Sequence, residues 1–256
     1  MKWCVALLPA LFANAALAAV PPKAEAAYVI GKFVDAAAIA EAEGSAEALA
    51  FAARAHIADA ITRTGPACLP CLNTAVALAE RAIERDPDYA EGYVQFAIAL
   101  GFGGRHLSAS SAQSLQTPER GRAAIDKALK LDPKNTWANA SLGAWHLEIV
   151  HRAGPVLAAV TYGAYRSDGL KHFRGALARE PSNLLLHFHF ALSILALDTD
   201  AFHREALVAL QVANKDPRTD ALTEFTRRRA RLLEALLTHG TSEQIEDLVR
   251  TYQGYP

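Results

Sequence analysis

Ala79–Pro87 reads AERAIERDP, Ile125–Pro133 reads IDKALKLDP and Phe173–Pro181 reads FRGALAREP. Each stretch ends in an acidic residue followed by proline, and in each an alanine stands five residues before that proline: Ala82, Ala128 and Ala176. The small side chain lets the backbone of a neighbouring helix come close, and the proline stops the helix that precedes it. Asp216-Pro217 is a fourth mark of the same kind. Behind each proline a second amphipathic stretch begins, and nowhere do apolar and polar residues alternate over a run bounded by turn residues. The fold expected is all-α.

The stretches behind the prolines share a pattern. Tyr93, Phe96, Ala97 and Leu100 run large, apolar, small, large; Leu142-Gly143 repeats the central pair after Pro133, and Phe190-Ala191 repeats it after Pro181. On these residues the chain resembles the tetratricopeptide repeat (TPR) family, whose unit is two antiparallel helices. The resemblance covers about residues 45 to 237, with Asn139 and His187 standing where the family usually carries a large aromatic. It implies a solenoid of helical hairpins whose first helices line a concave groove. Carried over residue by residue, that groove is apolar: Val94, Ile98, Trp137, Ala140, Ala144, Leu185, Phe188 and Leu192. Family members that clamp acidic peptide ends use lysine and asparagine there, so that mode is disfavoured. An open apolar groove calls for an occupant. Three are reasonable: an apolar segment of a partner protein, a small hydrophobic ligand, or the chain's own helix around Tyr28 to Ala42.

Successive prolines lie 46, 48 and 36 residues apart, where a plain repeat of this family spans about 34. The surplus falls inside two units, as long loop insertions over Phe102 to Pro118 and Arg152 to Asp168, and a comparable connection runs from Thr64 to Cys71. In a stacked array such connections project from one edge, and long connections in a compact protein are often functional. Phe102, Arg105, His106, Tyr162 and Tyr165 are the candidates on that edge. Pro155, Val156, Leu157 and Val160 make the second insertion too apolar for a wholly solvated loop, so a short extra helix or a partner contact is expected. Gly101-Phe102-Gly103-Gly104 follows a helix and lacks the lysine and spacing of a phosphate-binding loop.

The ends divide the chain further. Lys2, the apolar run from Val5 to Phe12 and Ala16-Leu17-Ala18 have the form of a signal peptide over residues 1–18. Residues 19–44 form an N-terminal helical segment, 45–237 the repeat array, and 238–256 a capping helix and tail opened by a capping box at Thr241 and Gln244. Arg227, Arg228, Arg229 and Arg231 are expected to solvate the outer face of a terminal helix. Cleavage near Ala18 removes Cys4 and leaves Cys68 and Cys71, for which a structural disulfide is expected; a redox-active pair, a metal site or free thiols are the other readings. The apolar run near the start is too short for stable membrane insertion, and a net charge of −1 offers nucleic acid no footprint. His146 with His151 and His187 with His189 are five and two residues apart, which does not suit two ligands on one helix face. No metal, no cofactor and no catalytic motif is expected. The function expected is an exported, periplasmic or secreted scaffold that binds protein partners; a carrier for a hydrophobic small molecule and a thiol-redox protein using Cys68 and Cys71 are the other readings.

Overall fold

The computed structural model describes residues 20–63 and 67–256; the segment read as a signal peptide, with Cys4, lies outside the described residues, as do residues 64–66. The fold is all-α, with no strand among the described residues. A short N-terminal pair, α1 (Pro22–Val29) and α2 (Phe33–Glu43), precedes α3 (Ala46–Thr62) and α4 (Leu69–Arg85). Then come α5 (Ala90–Gly104), α6 (Ala109–Ser114), α7 (Thr117–Leu131) and α8 (Thr136–Ala153). A short turn α9 (Pro155–Leu157) continues into a π-helical segment, Ala158–Tyr162, ahead of α10 (Arg166–Arg179), α11 (Leu184–Leu197), α12 (Thr199–Ala213), α13 (Ala221–His239) and α14 (Ser242–Gln253).

Helices pair as the repeated stretches require: α3 with α4, α5 with α7, α8 with α10, α11 with α12. The first members of the pairs also touch in series, α3 to α5 to α8 to α11 to α13. Ala82, Ala128 and Ala176 are fully buried, and at the crossing of α8 and α10 the close approach goes further. A Cβ on Gly143 would stand 2.8 Å from the Phe173 backbone nitrogen and 2.9 Å from the Gly169 oxygen.

The turn at each acid-proline pair is built alike. The amide of Asp86, Asp132 and Glu180 closes the preceding helix on the carbonyl of Ala82, Ala128 and Ala176 respectively. The carboxylates of Asp86, Asp132 and Asp216 accept from the amide two residues on, at 2.9 to 3.0 Å. Six residues beyond the proline of each repeated stretch, a side chain reaches back to that proline's carbonyl: Tyr93 Oη to Pro87, Asn139 Nδ2 to Pro133 and His187 Nε2 to Pro181, at 3.1, 3.3 and 2.9 Å. Asn139 and His187 therefore hold the register that a large aromatic was expected to hold. Burial lowers the His187 pKa, which keeps its ring neutral. The buried Asn139 amide also donates to the Asn135 carbonyl, leaving it unavailable for a sugar although Asn139-Ala140-Ser141 has the spacing of an N-glycosylation acceptor.

Asp216 does more than its counterparts. Its carboxylate accepts from the Leu184 amide at 2.8 Å, one of the donors that the start of α11 leaves unpaired, and from the Arg218 guanidinium. Burial alone would raise this carboxyl, but the hydrogen bonds from Arg218 and from the Leu184 and Arg218 amides bring it down to about 2. A depressed carboxyl pKa contributes stability above the unfolded value and loses it as pH falls through the folded one. Asp216→Asn is therefore expected to cost about 2 kcal/mol at neutral pH. Urea titrations from pH 7 to pH 2 should show the gap between variant and parent closing below about pH 4; a constant gap would refute the assignment.

The two ends of the array meet. Gly31, in the left-handed turn between α1 and α2, lies so close to α13 that a Cβ there would come within 2.9 Å of the Ala221 Cβ, and Leu222 packs in the N-terminal core. The stretch from Tyr28 to Ala42, expected as one helix, is broken at Gly31 into the end of α1 and most of α2, which stack ahead of α3 with Tyr28 against Phe33 and Phe51.

Two expectations are corrected. The insertion from Phe102 is not a long loop, because α5 continues through Gly104 and α6 and α7 take up most of the remainder. Arg152 anchors it by donating to the Gly104 and Leu107 carbonyls at 2.9 and 2.8 Å. The arginine cluster on α13 is only half solvated. Arg227 is buried and bonds to Glu224 and to the Asn214 and Arg218 carbonyls, and the Arg229 guanidinium lies 4.3 and 4.8 Å from the ring centres of Phe225 and Tyr252. Arg228 and Arg231 are more open to solvent.

Candidate functional site

The connections within the pairs lie side by side. Leu69, at the start of α4, reaches Gly103 at the end of α5, and the Arg152 bonds carry the edge on from α5 to α8. The Cys68 and Cys71 sulfurs lie side by side on this edge, with Cys68 at the N-cap of α4. The second insertion follows. Its position is fixed by buried Ala158 and Ala164 and by the Tyr165 amide, which donates to His146 Nδ1 at 3.1 Å. Burial and the nearby Arg122 charge push His146 down to about 4, so it remains a neutral acceptor. The outer side chains of the same segment face solvent, with Val156 76% and Val160 83% exposed and Leu157 and Tyr165 about half exposed.

Behind this edge lies a cavity of about 190 Å³ between α5, α7, α8 and α11. Ile98, Phe102, Trp137, Trp145, Ile149 and Phe173 supply its apolar walls. Trp145 is oriented by donating from Nε1 to the Pro118 carbonyl at 2.9 Å. Polar groups gather on one side. Arg105 donates from Nε and Nη2 to Glu148 at 3.3 and 3.0 Å, and Phe102 stacks beneath the guanidinium. Burial would raise the Glu148 carboxyl, but the Arg105 charge and the bonds from Arg105 and Tyr255 hold it below its usual range. His189, also on the cavity wall, is driven down to about 4 by burial and by the charges of Arg105 and Arg229, so it is a neutral ring.

The end of the chain covers this polar side. α14 buries Ile245 and Val249 against α11, and Tyr252 packs on Phe188 with ring centres 5.8 Å apart. Gln253 donates to the Leu192 carbonyl at 3.4 Å, and its own carbonyl accepts from Arg105 Nη1 at 2.8 Å. The Tyr255 hydroxyl bonds to Glu148, and Gly254 reaches Ala67, next to Cys68.

Most of the chain that builds this arrangement is matched by a family model, regulator of microtubule dynamics protein 1-3, over residues 31–236. The chain belongs to this family. No curated protein matches it. The family match opens at the Gly31 turn and ends within α13, so the first helices of all the pairs from α3 to α11 lie inside it and α14 lies outside.

Within the family region, the expected groove residues part company. Ile98, Trp137, Ala140 and Ala144 line the cavity. Phe188 and Leu192 are buried under α14 and its tail. Leu185 is half-buried against the N-terminal core. Val94 is not on a groove: it is fully buried with Ala128 and Ala138, whose small side chains let α7 and α8 close around it. Of the edge candidates, Phe102 and Arg105 belong to the end of α5 and to the cavity, Tyr162 packs against the small cluster of Ile149, Val150, Ala158 and Ala164, and Tyr165 is exposed. His106 is half-buried with Nε2 unpaired. Glu148, His189, Gln253 and Tyr255 were not expected at the site. The stripe of Ile245, Leu248, Val249 and Tyr252 is visible in the sequence as an amphipathic helix, but not where that helix docks. No helix among the described residues is long and apolar enough to cross a membrane.

Proposed function

We propose that this protein is an exported, TPR-like scaffold that engages protein partners through the edge carrying its insertions. The observation behind this reading is the second insertion: a segment anchored by buried alanines and a backbone bond to His146, yet presenting Val156, Leu157, Val160 and Tyr165 outward. Apolar side chains fixed on a rigid platform favour contact with another protein, since ordering them costs little on binding. The family description ties its members to microtubule dynamics. We carry over the role of a helical interaction module; the periplasmic setting rests on the pattern from Lys2 to Ala18.

The test is a photo-crosslinking residue placed in whole cells at Val160 or at Val208, an exposed valine on α12. Capture of a defined protein from position 160 and not from 208 supports the edge. Equal capture at both, or none at 160, sinks it. The cavity favours a second reading, a carrier for an apolar small molecule, which denaturing release from the purified protein would detect by mass spectrometry. The Cys68–Cys71 disulfide is read as a staple at the head of α4, in preference to a redox centre.

A further inference from the structure

We infer that α14 and the tail form a displaceable internal ligand, and that the surface they cover on α11, α12 and α13, together with Arg105 and Glu148, takes an amphipathic helix of a partner protein. The partner helix carries aliphatic residues at positions i, i+3 and i+4, an aromatic at i+7 and a hydroxyl-bearing residue three places further on, as Ile245, Leu248, Val249, Tyr252 and Tyr255 do here. This extends the scaffold reading to a second surface, and the two can fail separately.

Three observations carry it. The family region stops at residue 236, so the covered surface belongs to the shared module and its cover does not. That surface recognises a helix end in chemical detail: Arg105 takes a backbone carbonyl, Glu148 takes a phenol, the Leu192 carbonyl takes an amide, and Phe188 with Arg229 holds an aromatic ring. Finally, the cover is weakly built. α14 has 12 residues, a length at which an isolated helix is marginal in water, roughly 12–15 residues being the threshold. It buries only Ile245, Val249 and Gln253, exposes Glu243, Glu246 and Asp247, and is joined to α13 through Gly240 and Thr241 alone. A short element with few buried contacts opens locally before the rest of a domain. Tethering gives the internal helix an effective concentration of about millimolar, enough to exclude weak competitors while yielding to a better-matched one.

The probe is a fluorescein-labelled synthetic peptide of residues 241–256, titrated by anisotropy against the full chain and against the full-length double variant Ile245→Asp/Val249→Asp, whose own α14 cannot seat. The peptide is expected to bind the variant at least tenfold more tightly than the parent, and a peptide carrying Val249→Asp is expected to bind neither. A variant with the parent's circular dichroism that gains no affinity would overturn the proposal. Hydrogen exchange on the unmodified chain supplies a second measurement, independent of that variant's folding. Amides of α14 should exchange at least tenfold faster than those of α11, and equal protection would mean that α14 is a fixed part of the core. Either negative result leaves the crosslinking at Val160 untouched.

Discussion

Gly143→Val lowers stability by about 3 kcal/mol, while Gly175→Ala, on the facing helix, raises it by about 1 kcal/mol. Both glycines lie inside helices, so helix propensity alone would make both replacements favourable. What separates them is the space each one faces. A Cβ at 143 meets backbone on α10, the Phe173 nitrogen and the Gly169 oxygen, at under 3 Å, and backbone cannot rotate away as a side chain can. At 175 the nearest group is the Arg179 guanidinium at 4.0 Å, the mobile end of a long side chain. For a chain of this size each kcal/mol moves the melting temperature by about 2–4 °C, so thermal unfolding resolves both effects. If the two variants shift in the same direction, the close crossing of α8 and α10 is wrong.

Arg105→Met is expected to cost about 3–5 kcal/mol, because it strips the counter-charge from a largely buried carboxylate. The Gln253 carbonyl loses its donor in the same step. Without Arg105, burial raises the Glu148 carboxyl in place of the lowering seen in the intact pair. The sign of the pH effect follows. The parent loses the contribution of Glu148 as pH falls through the folded pKa, whereas the variant is relieved by protonation, so the gap between them narrows under acid. The double variant Arg105→Met/Glu148→Leu removes both charges and should be more stable than Arg105→Met alone. Urea titration of the cycle at pH 7 and pH 4 checks all of this; costs that simply add would show that the two side chains do not interact.

The helical pairs were legible because their determinants are local: an alanine where helices touch, an acid-proline pair where a helix must end. The extent of the insertions was not. Gly101, Gly103 and Gly104 each weaken a helix by about 1 kcal/mol by propensity, which argues for a loop after Leu100. Contacts distant in sequence outweigh that penalty, since Gly104 is buried against Thr117 and its carbonyl is held by Arg152. The arginines of α13 misled for a related reason. Charge predicts solvent, but Arg227 spends its donors on carbonyls and Arg229 lies between two rings. The polar side of the cavity was hidden most thoroughly, because Arg105, Glu148 and Tyr255 are brought together from 43 and 107 residues apart.

Tyr93, Asn139 and His187 share neither size nor aromaticity, yet each sends one proton to the proline carbonyl six residues before it. A profile spelled in amino-acid letters scores them as one agreement and two mismatches. Spelled as a reach of six residues ending in a donor, it scores three agreements. Divergent copies of this hairpin elsewhere would be easier to detect by asking what a residue can give than by asking what it is called.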